Sequence, residues 1–107
     1  MSEPIVVLLS TWPDADQARA AAHTLVDEKL AACGNLVPAV ESIYRWEGKV
    51  ETAAEALLIL KTTSARSPAL TARLRELHPY EVPEILALPV SDGLPAYLRW
   101  VEESCRA

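Results

Sequence analysis

The chain has 107 residues with a formal net charge of −5 at pH 7, and half of its residues are hydrophobic. This length and composition predict one globular domain spanning residues 1–107 and exclude a disordered chain. The acidic balance disfavours binding to nucleic acids or to anionic membranes, because both partners present negative charge. No apolar run exceeds the length of a strand, so no membrane-spanning segment is predicted.

Two further features predict a cytoplasmic protein. Residues 1–4 lack the basic flank and the long apolar core of a signal peptide. The two cysteines, Cys33 and Cys105, are widely separated and form no Cys-x-x-Cys motif. We therefore expect both thiols to be reduced, as is usual in the cytoplasm.

The N-terminal part of the chain predicts a strand followed by a helix. Residues 5–9 are uniformly apolar and rich in β-branched side chains, as in a strand that is buried on both faces, and Pro13 ends the strand. Asp14, with Gln17 three residues later, resembles a capping box and predicts the start of the helix. Five apolar side chains then recur at helical spacing: Ala18, Ala22, Leu25, Val26 and Leu30.

A helix break and a long hairpin are predicted next. Residues 33–35 are expected to end the helix, because glycine and asparagine both tolerate a turn conformation. Residues 36–46 predict an extended segment that Pro38 interrupts. Residues 46–50 predict the hairpin connection that follows, in which Gly48 can adopt a positive φ angle.

The second half of the chain repeats the order strand, helix, strand. Residues 55–63 predict a strand that is apolar at its centre. Ser67 predicts the cap of a second helix, with Pro68 in its first turn. Residues 84–90 predict the fourth strand, and Pro95 fits the start of a short last helix.

This order of elements predicts an α+β fold of the ferredoxin-like split β-α-β type, with an antiparallel sheet and an extra C-terminal helix. In the usual form of that fold, the first and third strands are central and the other two are edges. Proline cannot donate to a strand ladder, so it collects at edges and bulges. The strand prolines agree with this arrangement, because they fall in or beside the second and fourth strands: Pro38, Pro83 and Pro89.

A stiff polar segment lies between the second helix and the fourth strand, within residues 77–90. Pro79 and Pro83 fix their own φ angles and move the preceding residues out of the helical region. Four polar side chains lie between or beside them: His78, Tyr80, Glu81 and Glu84. The segment is either a rigid turn with its polar groups in water or part of a binding site.

The third strand carries two charges on one face. Because side chains alternate along a strand, Glu55 and Lys61 point to the same side, at the two ends of an apolar strip. They lie about 20 Å apart, at ~3.3 Å per residue, and so cannot pair with each other. They are either charges at the rim of a sheet or members of a site with partners from elsewhere, such as Tyr80 and Glu84.

Cys33 and His78 are candidate metal ligands. Thiolate and imidazole both suit copper and zinc, although the spacing of these two residues matches no preformed site. Cys33 is alternatively a nucleophile beside His78 or a small buried hydrophobic residue. No glycine-rich phosphate loop and no zinc-protease motif occurs in the sequence, and no obligatory cofactor is expected.

Four segments, in order and at matching spacing, closely resemble the CutA divalent-cation tolerance proteins. They are AACGNLVP at residues 31–38, SIYRWEGK at 42–49, LILKT at 58–62 and HPYEVPE at 78–84. The corner at Pro13 and the YLRWV ending at residues 97–101 resemble the same family. The resemblance covers nearly the whole chain, with departures at Gly34, Ala39 and Arg45.

The resemblance implies a ferredoxin-like subunit of a tight cytoplasmic homotrimer that serves tolerance to copper and other divalent ions. It also implies architectural kinship with the PII-type signalling trimers. By position, six residues would form the family's polar cluster in the cleft between subunits: Trp46, Glu55, Lys61, His78, Tyr80 and Glu84. The family's cysteine corresponds to Cys33, which together with His78 gives the predicted metal ligands.

Two classes of function follow. The first is a non-enzymatic trimer that binds divalent metal ions or a small ligand at the clefts between subunits. The second is an enzyme that acts on a small metabolite in the same cleft, with Glu84, Lys61 and Tyr80 as acid–base candidates. The sequence favours binding, because these residues form no recognised catalytic motif.

Overall fold

The computed structural model describes residues 3–106 and confirms the predicted α+β, ferredoxin-like fold. Its elements are β1 (Ile5–Trp12), α1 (Ala15–Asp27), β2 (Cys33–Trp46), β3 (Lys49–Thr63), α2 (Ser67–Leu77), β4 (Leu86–Pro89) and α3 (Pro95–Ser104). The strands form an antiparallel sheet in the order β2-β3-β1-β4, so β1 and β3 are central, as the proline positions predicted. The signal-peptide interpretation concerned Met1 and Ser2 as well, and these lie outside the described residues. No helix within residues 3–106 is long and apolar enough to cross a membrane.

The two faces of the sheet differ in burial because α1 and α2 pack on one of them. On that inner face, alternate side chains of the central strands are completely buried: Leu8, Ser10, Ala56, Leu58, Leu60 and Thr62. On the other face, which we call the open face, the residues between them, such as Leu9 and Ile59, are only half-buried. The prediction that β1 is buried on both faces therefore does not hold for the single chain.

The predicted start of α1 at Asp14 is confirmed, but Gln17 bonds to the Asp14 side chain instead of forming the reciprocal backbone contact of a capping box. Asp14 Oδ1 accepts a hydrogen bond of 2.8 Å from the backbone N–H of Gln17, and Gln17 Nε2 donates to Asp14 Oδ2 at 2.7 Å. These hydrogen bonds stabilise the ionised carboxylate and lower the pKa of Asp14. The cap satisfies backbone donors that the first helical turn leaves unpaired.

The predicted end of α1 is wrong. The helix ends at Asp27, and Lys29 makes the turn with a φ angle of 60°. Cys33 and Gly34 are the first residues of β2, where they pair with β3. Gly34 serves close packing instead of a turn, because a Cβ atom there would lie 3.0 Å from the Leu60 side chain.

The β2–β3 hairpin is confirmed and is longer than predicted. Its two-residue turn has positive φ angles at both positions, 48° at Glu47 and 78° at Gly48, as in a type I′ turn. Strand β3 runs without interruption from Lys49, whereas the sequence predicted its start at residue 55. The register shifts between Val37 and Val40, where a bulge accommodates the predicted interruption at proline.

Two boundaries in the second half of the chain also differ from prediction. Ser67 is the first residue of α2 instead of its cap, since Arg66 occupies the cap position without a side-chain cap bond, while Pro68 lies in the first turn as predicted. Strand β4 covers only Leu86–Pro89, because it pairs with just four residues of β1. Residues 84, 85 and 90 flank the strand.

Candidate functional site

The C-terminal end of α2 places His78 in the protein interior. The residue caps the helix in an extended conformation, as expected of a residue before proline. Its ring is buried, with Nε2 2.7 Å from the carbonyl oxygen of Thr11 and Nδ1 3.1 Å from the backbone nitrogen of Tyr80. Burial disfavours the charged imidazolium and lowers the pKa of His78, although the Thr11 carbonyl and the charge of Glu55 oppose this effect.

Two aromatic rings pack against His78, one from the end of β1 and one from the segment after α2. The ring centroid of Trp12 lies 4.1 Å from that of His78, and the ring of Tyr80 lies 4.8 Å from it. The sequence analysis did not select Trp12 or Thr11. The available signal was the position of Trp12, directly before the Pro13 corner that ends β1.

Tyr80 connects this corner to the open face of the sheet. Its hydroxyl donates a hydrogen bond of 2.9 Å to Glu55 Oε2 on β3. Burial, the hydrogen bond and the negative charge of Glu55 raise the pKa of Tyr80 to about 12. The phenol therefore keeps its proton at neutral pH. We call Trp12, Glu55, His78 and Tyr80 the Glu55 cluster.

A second polar group lies at the other end of the strip on β3. The Lys61 ammonium donates a hydrogen bond to Asn35 Oδ1 on β2, and Cys33 pairs with Lys61 in the strand register. The Cys33 sulfur lies 3.5 Å from the hydroxyl of Tyr97 on α3. This contact and burial raise the pKa of Tyr97 to about 12. We call Cys33, Asn35, Lys61 and Tyr97 the Lys61 cluster; the sequence analysis missed Asn35 and Tyr97.

Of the six predicted cleft residues, the structure brings Glu55, His78 and Tyr80 together. Lys61 lies six residues from Glu55 along β3, about 20 Å away at the strand rise. Trp46 is 60% exposed near the hairpin turn, and Glu84 is exposed in the segment before β4. The single chain thus presents two clusters along β3, and Trp46, which pairs with Lys49 at the hairpin turn, and Glu84 belong to neither.

The two predicted metal ligands lie at different ends of the sheet. Cys33 is level with Lys61, whereas His78 contacts Thr11, which pairs with Leu57. Leu57 and Lys61 are four residues apart on β3, which corresponds to about 13 Å along the strand. Within residues 3–106, no group of three or more His, Cys, Asp or Glu side chains could hold a metal ion. The assignment of both residues as ligands stays a prediction.

The family model described as "CutA1 divalent ion tolerance protein" matches residues 6–104. The chain belongs to the CutA1 family. A curated relative, the "Divalent-cation tolerance protein CutA" of Thermus thermophilus, is 50% identical over 98 residues, which cover 92% of this chain and 95% of the relative. The CutA assignment from sequence is therefore confirmed.

Two plant comparisons agree with this family assignment. A crystal structure of CutA1 from Oryza sativa is 45% identical and has a TM-score of 0.94, with 98% of this chain and 96% of that chain covered. "Protein CutA 1, chloroplastic" of the same species is 46% identical over 103 residues, which are 96% of this chain and 58% of the relative. The match thus covers little more than half of this relative's length.

Proposed function

We propose that the chain acts in the cytoplasm as one domain of a homotrimeric divalent-cation tolerance protein. In this proposal, clefts between subunits bind divalent ions, copper among them, or a small ligand. The observation that carries the proposal is the open face of the sheet, where an apolar strip lies between the Glu55 cluster and the Lys61 cluster. Family membership supports the tolerance role, because the matching model describes a divalent ion tolerance protein.

Exposed apolar side chains support assembly into a trimer. On the open face, Leu86 and Leu88 of β4 are 54% and 48% exposed. The arm of the hairpin that extends beyond β1 adds further exposed apolar residues: Ile43, Tyr44, Trp46 and Val50. The arm residues lie on both of its faces, and exposed apolar side chains beside open sheet edges are typical of protein interfaces. Partner subunits that cover this surface would leave the two clusters at its margins.

The chemistry of the Glu55 cluster indicates what the cleft binds. Since the Tyr80 hydroxyl donates to Glu55 Oε2, the remaining carboxylate oxygen and the phenolic lone pairs are free to accept. These acceptors suit a cation or a ligand with hydrogen-bond donors. At the other end of the strip, the Lys61 ammonium suits a ligand group that accepts hydrogen bonds. The Glu55 cluster and the Lys61 cluster therefore favour different chemical groups, either of one ligand or of two.

We expect metal binding to be weak and to depend mainly on Cys33. Its thiol is half-buried on an edge strand, whereas a metal at His78 would have to displace one of two existing hydrogen bonds. Thiolate and imidazole ligands select copper and zinc, and they must lose protons before they bind. Affinity for Cu²⁺ should therefore rise with pH.

Calorimetry with Cu²⁺ tests this proposal on the parent protein and three variants: Cys33→Ser, His78→Ala and Glu55→Gln. The expected result is a large loss of affinity in Cys33→Ser and smaller losses in the other two. Arg19→Ala is the control, because Arg19 lies on the exposed side of α1. Equal Cu²⁺ binding by all five proteins would assign the metal to other surface groups and contradict the proposed site. Mass spectrometry of co-purified small molecules would identify a ligand directly.

A further inference from the structure

We propose that His78 is a positioning residue, which holds Tyr80 in place through hydrogen bonds at both ring nitrogens and so orients the Glu55–Tyr80 pair. The proposal rests on the proposed function, because that pair is the ligand contact suggested above. It assigns His78 a role through other residues instead of a direct contact with the ligand.

The hydrogen-bond partners of His78 determine its tautomer. The backbone N–H of Tyr80 can only donate, so Nδ1 must be the acceptor. The carbonyl oxygen of Thr11 can only accept, so Nε2 must carry the proton and donate. A neutral imidazole with its proton on Nε2 is therefore the form that satisfies both contacts.

This imidazole connects the corner after α2 to the end of β1. Trp12 lies on the inner face of the sheet and packs against the His78 ring, whereas Glu55 lies on the open face. Tyr80 thus passes around the end of β1 to reach Glu55. Pro79 restricts the backbone between His78 and Tyr80, so the position of the imidazole sets the position of the phenol.

The two ring nitrogens of His78 act on Tyr80 in different ways, one directly and one through β1. The acceptor at Nδ1 holds the Tyr80 backbone directly, while the donor at Nε2 anchors the ring to β1. An asparagine can supply an acceptor near the position of Nδ1, and a glutamine can supply a donor near the position of Nε2. The variants His78→Asn and His78→Gln therefore separate the two contacts.

Nuclear magnetic resonance provides the test. In the parent at neutral pH, long-range ¹H–¹⁵N correlations should show His78 with its proton on Nε2, and the exposed His23 serves as the internal comparison. His78→Asn keeps an acceptor for the Tyr80 N–H but loses the anchor to β1, so it should move the backbone amide and ring Cζ signals of Tyr80 less than His78→Gln does. In His78→Gln, the Tyr80 amide signal should move because its acceptor is lost, and the ring Cζ signal should move toward that of a Tyr80 that has left Glu55. The reference for the Cζ signal is the Glu55→Ala variant, in which the acceptor of the Tyr80 hydroxyl is absent.

Two results would overturn the proposal: a proton on Nδ1 of His78 in the parent, or Tyr80 signals that His78→Gln leaves unchanged. The tautomer is measured on the parent, so this part of the test is independent of how well the variants fold. The spectra are recorded without metal, so their outcome does not depend on whether the protein binds Cu²⁺. Failure of the positioning role is therefore distinguishable from failure of the proposed function.

Discussion

The open face of β3 ends in two polar clusters that are held in place by different means. The Glu55 cluster includes a buried imidazole, two packed aromatic rings and a proline-restricted corner from a distant part of the chain. The Lys61 cluster joins side chains of neighbouring strands and one tyrosine of α3. The first is pre-organised within the single chain, whereas Asn35 and Tyr97 of the second are exposed and freer to adjust to a ligand.

The largest expected effect on stability comes from His78→Ala. The change removes a buried ring that packs on Trp12 and leaves the Thr11 carbonyl and the Tyr80 N–H without their partner. We expect the free energy of unfolding to fall by about 2–4 kcal/mol. Denaturant unfolding with constant m-value measures this loss. A loss no greater than that in Arg19→Ala would show that the Glu55 cluster is not pre-organised.

In the Lys61 cluster, at the other end of the strip on β3, Lys61→Ala should weaken the proposed trimer. A charge beside apolar neighbours at a subunit boundary needs a partner, so we expect its removal to loosen the trimer by more than the ~1 kcal/mol typical of a surface ion pair. Glu84→Ala should do the same if Glu84 faces the same boundary, whereas Arg19→Ala should not. Thermal unfolding at two protein concentrations reports this effect, because dissociation makes the midpoint depend on concentration. Identical midpoints for all three variants would mean that the clusters are solvated in the assembly.

Tyr80→Phe isolates one hydrogen bond of the Glu55 cluster. The phenylalanine keeps the ring beside His78 and removes the donor to Glu55. Because that contact is partly exposed, we expect a stability loss of about 0.5–1.5 kcal/mol in denaturant unfolding. A loss as large as that of His78→Ala would indicate that Tyr80, and not His78, holds the corner.

The remaining prediction concerns pH. Because the folded state lowers the pKa of His78 below its usual 6.5, the unfolded chain takes up this proton first. The contribution of His78 to stability should therefore be complete above pH 6.5 and be lost as pH falls through the lowered pKa of the folded state. Unfolding of the parent and of His78→Gln as a function of pH measures this difference. A parent curve parallel to that of His78→Gln below pH 6.5 would contradict the prediction.

The order of predicted strands and helices was enough to predict the fold, because the strand cores are short apolar runs and the helices begin at recognisable capping or proline signals. Proline positions identified the edge strands for a similarly direct reason, the missing backbone donor. The end of α1 was mispredicted because Gly34 was interpreted as a turn residue, whereas it provides room for Leu60 in the sheet. Its φ angle is not the reason for a glycine there.

The candidate site was only partly predictable. Strand alternation selected Glu55 with Tyr80 as a candidate partner, the family resemblance added His78 to them, and the structure brings the three together. Trp12 was missed because an aromatic ring at the end of a strand usually belongs to the core, where most of this ring is also buried. Asn35 and Tyr97 were missed because their contacts depend on strand register and on the packing of α3, which no local pattern encodes.

The central claim is that the open face is a boundary between subunits in a trimer. Light scattering during size-exclusion chromatography at micromolar chain concentration tests it most directly. The account predicts a particle of about three chain masses. A particle of one chain mass at that concentration would contradict the claim, because the two clusters would then border open solvent and not a cleft.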